Sequence, residues 1–530
     1  MDPNLVKLLQ SESFAGAHGS RPIALSPEAL LAQDKKRRLS VRAEDKPPPA
    51  DLPKALELVA KKMRIHSKFK LEPNKNISAG FTYVGQFIAH DITYHKNTTG
   101  LNIPRLRLDA LYGGGPAIHN FLYNEYGDDL GHQSDIFQNE KLDNYKRSLF
   151  RMAKYGNLYD LKRLKRQVPL IADARNDQNF IISQLHVAFM RFHNAMAKYY
   201  HGLDSSLTAD ALFEKTRKSV IHHYQWMIVH QYLKQIVYDP ELIDRLLQKD
   251  NQAFLLYDPS AAPELMEEFF AAAFRVGHSQ VLNSYPVTTK EGTTALKIFD
   301  YTYYKIEGEE PLDLRGFVKR KKIRVDWRRF FFWYRQENAQ EKVAVTMAGK
   351  YDLEIADALG QLIFLKKDHN SLIARNLSKV PPKTYPAHRY ARALYKLLPN
   401  YAGRILLLDD VLKAVKIPEL TDSQQKALAP ENLPLWLYLL LEAAVLEEGN
   451  RLGPLGSHII AEQFIWTLKM DEQSCLCVDD GNWRPEPMFD AMKLELDPGT
   501  APELPEGLWG AQNRLFSIQH LFKLVFDPES

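Results

Sequence analysis

Two histidines stand where their neighbours make chemistry possible. In "GQFIAHDIT" (85–93), Gln86 and His90 are four residues apart and so project from one face of a helix, one turn from each other. The ordinary alternative is a satisfied core histidine beside a surface Asp91. In "FFAAAFRVGHSQ" (269–280), His278 follows Gly277 in an apolar run. A glycine there lets a flat, bulky group approach the backbone, and imidazole suits iron as an axial ligand. The competing reading is a helix–helix contact at the glycine. "DARNDQNF" (173–180) sets Arg175 at the mouth of an apolar helix. There it either pairs with Asp173 or Asp177 or serves as a fixed cation that stabilises developing negative charge. In "SLIARNLSKV" (371–380), Asn376 ends an apolar helix, as a C-cap or as the acceptor that holds the second ring nitrogen of a ligating histidine.

Helices must position these residues. Phe81, Val84, Phe87, Ile88 and Ile92 recur at three and four, as do Ile182, Leu185, Phe189, Phe192 and Met196, with Asn176 or Asp177 as N-cap of the second helix. Further helices are expected over 208–238, 262–281, 350–377, 404–416 and 432–448, and a short hairpin within 292–310. Residues 1–75, polar and proline-punctuated ("KPPPADLP", 46–53), are expected to form an N-terminal arm, with one mainly α-helical domain over 76–530.

The 530 residues are 45% hydrophobic and 25% charged, which fits a globular chain able to enclose a cofactor. A net charge of +4 from 69 basic and 65 acidic residues gives no ground for a nucleic-acid or anionic-membrane partner. The runs "KKRR" (35–38) and "KRKK" (319–322) are expected to be solvated surface. Cys475 and Cys477 are the only cysteines and are too close for a disulfide framework. The N-terminus lacks the pattern of a signal peptide and no run is long enough to span a membrane, so a cytoplasmic protein is expected. Nothing in the sequence indicates an oligomeric state.

In order, "GQFIAHDIT", "LDALYGGGP", "DARNDQN", "HVAFMRFHNAMA", "AFRVGHSQ" and "ARNL" resemble the motif series of the animal-type haem peroxidases of the peroxidase–cyclooxygenase superfamily, closest to its short bacterial members. The resemblance spans about residues 78–400 and implies a mainly α fold with haem buried between core helices. It places His90 as distal histidine, Arg175 as distal arginine, Gln86 as distal glutamine and His278 as proximal iron ligand. Asn376 becomes the partner of that ligand, and Arg275 and Lys379 the partners of the haem propionates. The implied activity is reduction of H₂O₂ through a ferryl intermediate, with small phenolic or halide compounds as electron donors.

Three departures from the family pattern matter. Ala89 and Gln178 stand where members with covalently attached haem carry Asp and Glu, so non-covalent haem b is expected. Asp91 and Asp109 could mark a vestigial calcium site. Arg107, standing where an acidic ligand is expected, would repel the ion and pair with Asp91 instead, so calcium is not expected. Arg275 holds the place of the radical tyrosine of the cyclooxygenase branch. Fatty-acid oxygenation is therefore the second reading, and a haem-binding protein without turnover the third.

Overall fold

The computed structural model describes residues 47–65, 72–123, 144–164, 168–289, 292–298, 322–332, 343–360, 372–492 and 516–526. The basic run at 35–38 and most of that at 319–322 lie outside these residues. The architecture is mainly α-helical, and the described strands form four two-stranded sheets.

The first described helix, α1 (Leu52–Met63), turns Leu52, Ala55, Val59 and Met63 into the core at helical spacing. The sequence reading had assigned this stretch to the arm. Next come α2 (Ala79–Ile92), α3 (Phe180–Leu203) and α4 (Ala209–Met227). The N-cap of α3 is Asn179, whose side chain accepts from the Ile182 N–H at 2.9 Å, and not Asn176 or Asp177 as expected. Those two residues lie in the preceding 3-10 turn Ala174–Asp177, where their side chains are engaged elsewhere. Helix α3 packs against both α2 and α4, and Phe87 of α2 stacks on Phe189 of α3 at 4.7 Å.

The helix expected over 262–281 is broken. A π-helical turn, Glu268–Ala272, leads into a 3-10 helix, Ala273–Gln280, with the break at Ala272 (φ −130°, ψ −68°). In a 3-10 helix residues three apart eclipse one another, so Arg275 and His278 share a face. The expected hairpin pairs Ser284–Thr289 with Gly292–Lys297, so its first strand precedes the range read from sequence. Of the helix expected over 350–377, residues 350–356 are not helical and end in the short strand Ile355–Ala356, the described helical parts are Asp357–Gly360 and α5 (Leu372–Leu377), and residues 361–371 lie outside the described set. After α6 (Ala387–Tyr395), the helices α7 (Leu435–Leu446) and α8 (Pro454–Lys469) are apolar on nearly every side and buried to match. Helix α7 packs on the 3-10 helix that carries His278.

Candidate active site

Surface accessibility on α2 is confined to Gly85, Gln86 and Ala89, while the rest of the helix is buried. On the 3-10 helix it is confined to Phe274, Arg275, Gly277 and His278. The two segments pack against each other, and Tyr232 joins them. Its hydroxyl lies 2.6 Å from where a Cβ on Gly85 would stand, and its ring meets Phe274 edge-on at 6.5 Å. Gln86 and His90 thus lie on one of two packed segments and Arg275 and His278 on the other.

On the α2 side, His90 is 7% exposed and its Nδ1 lies 2.8 Å from Asn176 Oδ1. An amide oxygen only accepts, so Nδ1 carries the hydrogen and Nε2 is left with its lone pair. The Asn176 Nδ2 donates in turn to His186 Nδ1 at 3.1 Å. Burial, followed by the Arg175 charge, pushes His90 down to about 4, so it is neutral at pH 7. Asn176 was read from sequence only as a possible helix cap. Its link to His90 joins residues 86 apart, and nothing local signals it.

Arg175 pairs with Asp173, donating from Nε at 3.0 and 3.1 Å and from Nη2 at 2.6 Å. It also reaches α2, with Nη2 on the His90 carbonyl at 2.6 Å and Nη1 on the Thr93 hydroxyl at 2.9 Å. Both sequence readings of Arg175 are thus present in one side chain, an ion pair and a cation fixed beside His90. Of its five N–H bonds, one on Nη1 has no partner among these contacts. Asp177, the other candidate carboxylate, takes Arg163 in a bidentate pair at 2.7 and 2.8 Å. Gln86 donates to Gln178 at 3.5 Å and accepts from Asn179 at 3.3 Å, so α2 is tied to the start of α3.

On the opposite side, Asn376 is fully buried and its Nδ2 lies 3.1 Å from His278 Nδ1, while its Oδ1 is buried without a partner. Rotating the amide by 180° sets Oδ1 on an Nδ1–H and leaves Nε2 of His278 free to bind a metal. Burial, with help from the Arg275 charge, pushes His278 down to about 3. A Cβ on Gly277 would meet only Gln280, at 3.9 Å. Arg275 donates to the Phe270 carbonyl at 2.9 Å, and burial and the adjacent Arg375 charge lower its pKa. Among the described residues no carboxylate pairs with Arg275 or Arg375. Two neighbouring guanidinium groups without an acid call for an anion. Arg375, which the sequence reading passed over, belongs to this set, and Lys379 follows within a turn of Asn376, its N–H on the Asn376 carbonyl at 3.2 Å. An imidazole with a free Nε2, an orphaned acceptor behind it, open space at Gly277 and a pair of cations together fit haem.

Asp91 and Asp109, the two carboxylates expected to mark a calcium site, are both engaged by protein donors. Asp91 accepts from the Leu108 and Ala110 N–H groups at 3.0 and 3.3 Å, and burial pushes its carboxyl well up, with the Asp109 charge adding to the effect. Burial acts on Asp109 in the same direction, but His95 at 2.8 Å and Arg217 at 3.9 Å hold it below its ordinary value. The expected Arg107–Asp91 pair is not formed. Arg107 instead grips Asp471 through Nε at 2.8 Å and Nη2 at 2.5 Å, because Asp91 already has backbone donors.

The sequence model of the family "Animal haem peroxidase" matches residues 137–472, more than half the chain. Chorion peroxidase of Drosophila melanogaster is 29% identical over 122 residues, which is 23% of this chain and 15% of that protein. Thyroid peroxidase of Homo sapiens is 29% identical over 112 residues, 21% of this chain and 12% of that protein. The matched stretches thus span under a fifth of these relatives' lengths. In fold the chain is similar to peroxidase A from Dictyostelium discoideum, with a TM-score of 0.51 at 14% identity, covering 84% of this chain and 87% of that one. It is equally similar to a fatty acid alpha-dioxygenase of Arabidopsis thaliana, with a TM-score of 0.51 at 12% identity, covering 82% and 73%.

Proposed function

Because the chain belongs to the animal haem peroxidase family, we propose that the segments of His90 and His278 hold haem b and that the protein reduces H₂O₂ at the expense of small phenolic or halide donors. The observation that carries this reading is the His90–Asn176 pair beside Arg175, a neutral imidazole with its free nitrogen fixed.

His278 would bind the iron through Nε2, with Asn376 accepting from its Nδ1–H, and Arg275, Arg375 and Lys379 would hold the propionates. Bound haem would supply the redox iron at which the peroxide O–O bond breaks. His90 Nε2 takes the proton of the incoming peroxide and returns it to the departing oxygen, while Asn176 keeps the ring from turning. Arg175, held by Asp173 and fixed beside His90, would stabilise the charge that develops on the leaving oxygen. Gln86, held by Gln178 and Asn179, fixes the shape of the pocket.

Ala89 and Gln178 carry no carboxylate with which to form an ester, so haem should pass entirely into acidified butanone; haem retained by the protein would contradict this. The same holoprotein should oxidise guaiacol or iodide with peroxide and take up no oxygen with linoleate. Oxygen uptake without guaiacol oxidation would replace the peroxidase reading by the dioxygenase one. Against that second reading, Arg275 occupies the tyrosine position and carries no phenol.

A further inference from the structure

A line of phenols begins on a helix packed against the 3-10 helix of His278. Helix α7, packed on the 3-10 helix of His278, carries Tyr438 and Glu442, both buried. Tyr395, at the end of α6, lies beside Tyr438 and donates its hydroxyl hydrogen to Glu442 Oε1. The Tyr395 ring is 6.1 Å from that of Tyr401, whose hydroxyl hydrogen goes to Glu447 Oε1. Tyr401 meets Tyr238 edge-on at 5.2 Å. Tyr238 and Tyr401 then line an open cleft of about 440 Å³ with Asn400 and Arg404.

Glu442 also accepts from the Leu455 and Gly456 N–H groups at 2.9 and 3.1 Å and so caps α8. Capping explains the carboxylate but not why Tyr395 and Tyr401 both hand their hydrogens to glutamates. Burial raises Glu442 to about 7, where it can take up a proton near neutral pH, and raises Glu447 above its ordinary value. A phenol gives up an electron readily when a base receives its proton in the same event. Rings 5 to 6 Å apart are in van der Waals contact.

We propose that Tyr395 and Tyr401, each hydrogen-bonded to a glutamate, form a proton-coupled electron relay between the helix packed on the His278 segment and this cleft, where Tyr238 lies against Tyr401 and phenolic donors too large for the interior are oxidised. The proposal rests on the peroxidase reading, with H₂O₂ as the oxidant. For each electron drawn inward, Tyr395 or Tyr401 becomes a neutral radical and its proton moves to Glu442 or Glu447. The next tyrosine outward then refills the vacancy and the proton returns. At the cleft a donor ArOH loses one electron and one proton, so that H₂O₂ and two ArOH give two H₂O and two ArO radicals.

The test uses the full-length holoprotein with two donors, guaiacol and a 4-hydroxyphenyl group coupled to dextran. Tyr401→Phe and Tyr238→Phe should each oxidise the dextran-bound phenol about tenfold more slowly or worse, with guaiacol oxidation unchanged. Electron paramagnetic resonance after rapid freezing with peroxide should show a tyrosyl radical in the wild type and less of it in both variants. Glu447→Gln keeps every ring and removes one base, and should lower the radical yield in the same way. Wild-type rates on dextran and an unchanged radical signal in all three variants would overturn the relay, as would a wild type that oxidises guaiacol but never the dextran phenol. A wild type unreactive towards peroxide would instead overturn the function on which the relay rests.

Discussion

An amide has one accepting and one donating atom, and Asn176 sets a buried histidine against each. That placement gives His90 a defined tautomer without giving it charge. It also leads to predictions that separate the role of Asn176 from that of His90. His90→Ala removes the base and should slow peroxide activation by on the order of 10²–10⁴-fold with haem still bound. Asn176→Leu keeps the base and frees its ring, for a loss on the order of 10–100-fold. Because burial holds His90 near 4, the peroxide reaction should persist as pH falls and fail only as it drops through about 4. Replacing the amide by a carboxylate, Asn176→Asp, should move that limb upward. A wild-type limb near the ordinary histidine value would mean that His90 is solvated. Type and spacing singled out His90, Arg175, His278 and Asn376 but left each an ordinary alternative, and only the resemblance to the family assigned them roles. Neither marked Asn176 or Arg375 as a site residue, since their meaning lies in partners from other segments.

At the scale of elements, α2 owes its fit to a residue with no side chain. A Cβ on Gly85 would stand 2.6 Å from the Tyr232 hydroxyl, so Gly85→Ala must push α2 off the π-helical turn Ile228–Leu233. Overpacking of this kind costs about 1–3 kcal/mol, and Tyr232→Phe should recover part of it by removing the clashing oxygen. Urea denaturation of the single and double variants measures both effects; an additive, undiminished loss in the double variant would place the strain elsewhere. Apolar periodicity made α2 and α3 legible because each buries a long stripe. It failed over 262–281, where π and 3-10 turns share the composition of an α-helix. The difference matters there, since the 3-10 winding is what aligns Arg275 with His278.

Over the whole molecule, burial sets the response to acid. His90, His186, His193, His223, His230, His278 and His520 are all held neutral, at about 3 or 4, chiefly by desolvation. A histidine depressed in the folded state is protonated first in the unfolded chain. Its contribution is therefore intact above about pH 6.5 and is lost as pH falls towards 4. Glu442 and Asp352, raised to about 7, and Asp160, raised to about 6, act in the opposite sense, but the histidines outnumber them. Stability should fall by roughly 1.4 kcal/mol per pH unit for each uncompensated histidine. Urea midpoints at pH 7, 6 and 5 read this directly, and constant midpoints would contradict it. Long-range pairs such as Arg107–Asp471, 364 residues apart, lie beyond a reading of local pattern, which is why Arg107 was assigned to Asp91.

The central claim is that haem between the two segments reacts with peroxide through His90. Its most direct test is a stopped-flow record of the Soret band of the holoprotein after one equivalent of H₂O₂. The account predicts a shift within milliseconds that returns when a phenol is added and is slowed in His90→Ala. Haem that stays spectrally unchanged with peroxide, or that shifts equally fast without His90, would contradict it.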